Sequence, residues 1–180
     1  MNKIGWVASC LLVAAGVAAS APAVAAYNFL VSVEGMKQGK FLGESLAKGE
    51  EGAVPAVAFS FSVRSPRDLA TGQASGKRQY SAITFTKAWG ASSPQFLASA
   101  TSNEVLKSVL FRFYKVNADG VRGVYETIKL TNAQVSGVTR RAAAASGSNP
   151  TELEDISMTF QRIETNDLVG KTSTSDDWSL

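Results

Sequence analysis

Hydrophobic and polar positions alternate with a period of two over most of the chain, the signature of half-buried β-strands. Residues 27–34 form the first such run. Residues 53–64 form a cleaner one: Val57, Phe59, Phe61 and Val63 point one way, and Ala58, Ser60, Ser62 and Arg64 the other. Ile83 and Phe85 alternate with Ala82, Thr84 and Thr86. In residues 105–117, Val109, Phe111 and Phe113 alternate with Leu110, Arg112 and Tyr114. Large groups on both faces predict a central, covered strand. Residues 121–130 return as a hairpin arm, because Asp119-Gly120 suits a turn position with positive φ. Residues 132–140 predict a further strand. Residues 153–163 predict the last, with Ile156, Met158 and Phe160 set against Ser157, Thr159 and Gln161.

One segment breaks the pattern. Ser93 can cap a helix through its side-chain oxygen, and Pro94 suits the first helical position because its missing N–H is not needed there. Phe96, Leu97 and Ala100 then make an apolar patch too short to hold a helix alone. Such a helix must lean on a sheet. Between the runs lie glycine-rich residues 35–52, a polar loop at 65–79, a linker at 141–150, and a polar tail at 170–180 that carries Trp178. A loop as long as 65–79 is usually functional or mobile. About seven or eight strands with one helix of about two turns predict a mainly β chain closed as a barrel or sandwich.

Composition changes the picture at the amino terminus. Residues 1–26 have a positive start, an apolar Ala/Val run and small residues Ala23-Val24-Ala25, which predict a secretory signal peptide rather than a membrane anchor. Val7 to Cys10 resembles a lipoprotein box, but too little apolar sequence precedes it. Residues 27–180 are then one domain, with a cut after Ala25 or Ala26. Loss of residues 1–25 removes Lys3 and Cys10. It leaves 17 basic against 15 acidic residues, a net +2 from the full chain's +3. No thiol remains to make a disulfide, so packing must supply the stability. Scattered basic residues give no footprint for nucleic acid.

Candidate chemistry is sparse. The chain has no His, and Cys10 is its one Cys, so the mature chain offers no His-based triad, no thiol nucleophile and no ordinary zinc site. Glu50-Glu51, Glu154-Asp155 and Asp176-Asp177 are adjacent acidic pairs. Neighbours on a strand face opposite ways, so Glu154 and Asp155 diverge as solvated carboxylates. No phosphate loop, catalytic, cofactor-binding or metal residue is predicted. The phenylalanines at strand positions read as core. Trp89 and Trp178 bury against the barrel or against a neighbouring subunit. Lys87, Arg112 and Arg162 read as solvated cations, with a lumen or subunit pairing as the alternative.

Several strings in order resemble the haemolysin-coregulated protein (Hcp) family, the tube subunit of type VI secretion. Thr84-Phe85-Thr86-Lys87 stands in its φ-x-F-T-K strand, followed by Ser93-Pro94 at the helix start. Leu130 to Val138 is similar to its L-x-x-V-x-V-S-x-V strand, with Ala133 at one valine position. Glu154 to Phe160 is similar to its E-x-(I/V)-x-(L/M)-x-F strand. The likeness runs from about Phe29 to Ile163. It implies a compact Hcp-like β-barrel of two antiparallel sheets with one short flanking helix. It also implies a non-enzymatic subunit of homohexameric rings that stack into a tube around effector cargo, with loop 65–79 reaching the next ring. A leader departs from the family, whose tubes assemble in the cytoplasm; it predicts a secreted or periplasmic protein with no membrane contact after cleavage. The alternative is a monomeric secreted β-barrel that binds a ligand with its loops.

Overall fold

The structure is a computed structural model that describes residues 29–143 and 152–178. The leader assigned to residues 1–26 and most of the linker at 141–150 lie outside the described residues. The strands are β1 (Phe29–Gly35), β2 (Gly39–Lys40), β3 (Val54–Ala56), β4 (Ala58–Ser60), β5 (Val63–Arg64), β6 (Gln79–Tyr80) and β7 (Ile83–Ala88). After helix α1 (Ser93–Ser102) come β8 (Val105–Val116), β9 (Arg122–Ala142), β10 (Glu152–Thr159), β11 (Arg162–Asp167) and β12 (Thr172–Asp177). The larger sheet runs β2-β1-β8-β9-β10-β7-β4, with β3 beside β1, β11 beside β9 and β12 beside β11. All these pairings are antiparallel, and β5 and β6 form a second, two-stranded sheet.

The sheet closes through a strap. Val54–Ala56 pair with β1, and Ala58–Ser60 pair with β7. Between them the Val57 N–H donates to the Thr86 carbonyl at 2.8 Å. Residues 53–64 are therefore three short strands, not the single strand the alternation predicts. Pro55 cannot donate to a ladder, and the segment changes partners two residues later. Exposure follows: Phe59 packs on the core, while Val57, Phe61 and Val63 face outward.

β9 corrects a second expectation. Residues 121–130 and 132–140 are one strand, bent at Asn132, which takes φ 49°. Asparagine tolerates this left-handed conformation better than most residues. Before the bend β9 pairs with β8 and β11; after it, β10 becomes the main partner. One strand thus serves two walls of the barrel. β8 is central, as predicted, between β1 and β9. Residues 153–163 are likewise divided, by a turn at Phe160 and Gln161, and the polar tail supplies β12.

Inward-facing Val31, Phe85, Phe111, Leu130, Ile156 and Met158 are fully buried. Phe85 meets Phe111 edge-on at 5.6 Å and Phe96 of α1 at 5.7 Å. Phe96 also meets Phe41, at 5.1 Å. The helix therefore closes one part of the core with a single aromatic ring. Leu97 faces outward instead. Each such ring contributes a few kcal/mol by leaving water.

Candidate assembly surfaces

Ser93 does not cap α1. The cap position falls on Ser92, which makes no side-chain capping bond. The Ser93 hydroxyl instead accepts from Gly90 N–H at 3.0 Å and from Lys87 Nζ at 3.0 Å. Lys87 Nζ also donates to the Ala88 carbonyl and to Glu154 Oε1 at 3.0 Å. Both side chains are fully buried. Arg140 donates to Glu154 Oε2 at 2.9 Å and to the Ser93 carbonyl at 2.9 Å, with its guanidinium over the Trp89 ring. The solvated reading of Lys87 and Glu154 is thus overturned. Antiparallel register places them opposite each other, and the helix seals them from water. The divergence of neighbours does hold: Asp155 points the other way, to Thr86 and Arg141.

A second lock holds the far end of the helix. Asn103 ends it in the left-handed conformation, and Glu104 follows, buried. Glu104 accepts from the backbone N–H of Lys37 at 2.7 Å and of Gln38 at 2.9 Å, and from Gln38 Nε2 at 2.7 Å. Burial alone would raise its pKa; these bonds from Gln38 and Lys37 outweigh it and hold the carboxyl below its ordinary value. A Cβ at Gly35 would press on Glu104, which is why this crossing needs glycine.

The surfaces left for contact are of two kinds. One is the arm at 65–79. It is not a formless loop. β5 pairs with β6, Arg67 bridges to Ala74, and Ser75 N–H donates to the Pro66 carbonyl. At its tip the Asp68 carboxylate accepts from Thr71 N–H, the Thr71 hydroxyl and Ala70 N–H, bonds that hold its pKa low. Most of the arm is exposed, and Leu69 at the tip is completely so. An apolar side chain held out on an ordered hairpin is a poor arrangement for a monomer and a good one for a contact.

The other surface is the face of β1, β8, β9, β11 and β12 turned away from the core. Register sets Ser32, Leu110, Lys129, Glu164 and Ser175 in one row across five strands. The neighbouring rows carry Arg112, bonded to Ser32 and paired with Glu50, and Arg162, paired with Glu164 at 2.9 Å. These two cations are paired rather than free. A shallow groove of about 360 Å³ runs over Ser32, Glu34, Lys40 and Arg112. Burial pushes the neighbouring Tyr114 hydroxyl up to about 12, and the Glu50 charge adds to the shift. Among the described residues no group of three His, Cys, Asp or Glu side chains could hold a metal. No helix there is long and apolar enough to cross a membrane.

A closed barrel with a side helix and a projecting arm matches known proteins. The sequence model described as "Type VI secretion system effector, Hcp" matches residues 31–166. The chain belongs to the Hcp family. The "Major exported protein" of Pseudomonas aeruginosa is 31% identical over 160 residues, covering 82% of this chain and 93% of that one. A crystal structure of an Hcp protein superposes with a TM-score of 0.76 at 26% identity, over 83% of this chain and 96% of the other. Hcp1 of E. coli EAEC 042 gives 0.75 at 25% identity, over 85% and 99%. This Hcp-family chain is accordingly a structural subunit of the self-assembling, tube-forming type. The resemblance read from Thr84–Lys87, Leu130–Val138 and Glu154–Phe160 names the right family. Sequence reasoning missed the Lys87–Glu154–Arg140 strut. Its one available signal was a lysine and a glutamate embedded in two strongly alternating strands.

Proposed function

We propose that residues 1–26 export the chain and that the mature domain, 27–180, closes into homohexameric rings in the periplasm or outside the cell. The rings stack when the 65–79 arm of one ring reaches the next. The observation that carries this reading is the arm itself: internally hydrogen-bonded, exposed along most of its length, with Leu69 bare at the tip. Its role is geometric rather than catalytic. Ring closure itself takes heterologous contacts between neighbouring subunits of one ring, with a rotation that closes. Native mass spectrometry of the mature chain tests the ring, with a hexamer expected. Electron microscopy of a variant lacking residues 67–77 tests stacking, with single rings expected. A strict monomer at high micromolar concentration would instead favour a monomeric binding protein that uses its loops for a ligand.

A further inference from the structure

One side-chain cluster lies apart from the strut. It lies where the base of the arm meets the last strand. Tyr80 Oη donates to Asp176 Oδ2 at 2.6 Å, and Arg78 Nε donates to the same oxygen. A second Arg78 nitrogen donates to the Asp177 carbonyl. The Tyr80 ring lies 5.3 Å from Phe160 and 5.9 Å from Trp178, both outside the arm. Arg78 stands just before β6 and Tyr80 within it, and both side chains reach the same carboxylate oxygen. The bonds within the arm, such as Ser62 to Ser81, tie its two legs to each other, and both legs continue into the β4–β7 pair. The Arg78–Tyr80–Asp176 cluster adds a crossing from the base of the arm to the carboxy-terminal hairpin. The hydroxyl of Tyr80, and then Arg78, hold the Asp176 carboxyl below its ordinary range, which keeps it charged and accepting.

We propose that Asp176 is the positioning residue of the arm: through Tyr80 and Arg78, the carboxy-terminal hairpin β11–β12 sets the direction in which the 65–79 arm projects. The consequence for stacking rests on the reading of the arm given above; the clamp itself does not. A charge-assisted pair of bonds on one carboxylate is strong enough to select one orientation, because such bonds are shorter and stronger than neutral ones.

The test measures the arm's direction. Spin labels at Leu69→Cys and Lys129→Cys, in mature subunits diluted into unlabelled protein, report one arm-to-barrel distance. A single narrow distance is expected for the parent. Asp176→Asn should lose that single distance while the assembly mass by native mass spectrometry stays the same. Tyr80→Phe, which keeps the ring and removes one hydroxyl, should broaden the distance less. Adding it to Asp176→Asn should change nothing further, because the two act through one bond. An unchanged narrow distance in Asp176→Asn would overturn the proposal. So would equal broadening of a control label pair placed wholly within β8 and β9. If deletion of residues 67–77 leaves stacks intact, the stacking reading fails alone, and the clamp is still judged by the label distance.

Discussion

Two clusters of the same chemistry tie peripheral pieces to this barrel, and water separates their roles. The Lys87–Glu154 strut under helix α1 is fully buried, and its lysine nitrogen has three acceptors. The Arg78–Asp176 clamp under the arm is about one-third exposed on each side. In the strut, desolvation has already been suffered, so each charge depends on the other. In the clamp, solvent can replace a lost partner. Burial makes the first a matter of stability and leaves the second a matter of direction.

Breaking the strut should give the largest effect. Glu154→Ala strands Lys87 as a buried charge and should cost about 3–5 kcal/mol in urea unfolding. Replacing the pair together, Lys87→Met with Glu154→Leu, should recover most of that loss; a double variant as unstable as the single would show that charge burial is not the cost. Ser93→Ala removes one acceptor from Lys87 and from Gly90 N–H. It should cost about 1–3 kcal/mol by the same measurement, because a buried donor loses its partner. The clamp responds to pH instead. The Asp176 carboxyl is lowered from its ordinary 3.8. Its contribution is therefore complete above that value and fades as pH falls through the lower folded value. Labelled subunits should keep the single arm distance at neutral pH and lose it in acid; insensitivity down to full protonation would separate Asp176 from the arm's direction. Arg162→Ala, which breaks a pair lying open on the sheet face, should change stability by less than about 0.5 kcal/mol.

The strands with clean alternation were legible because burial on one face writes itself into a period of two. Val109, Phe111, Ile156 and Met158 are buried where the pattern places them. The pattern failed where a strand changes partners. Alternation continues through 53–64, yet Pro55 and the move from β1 to β7 divide it. It failed again at Asn132, where one left-handed residue bends a strand without ending it. β12 was illegible because all its residues are polar, and its pairing comes from β11, not from a buried face. Charge was the least legible property. Lys87 and Arg162 look alike in the sequence. Only the helix lying over one of them distinguishes a sealed cation from an open one.

The strap at residues 54–60 has a kinetic consequence. β8 and β9 are joined by the short connection at residues 117–121 and can zip locally, but closure needs β1 to meet β8 and β7 to meet β10, each across roughly half of the domain's length. Barrels dominated by such distant pairings fold on the order of milliseconds to seconds, far slower than helical domains of similar stability. Until those distant pairs form, the chain is a set of hairpins without a sealed interior. The most distant strand pairs are therefore a clock for the moment at which the interior seals.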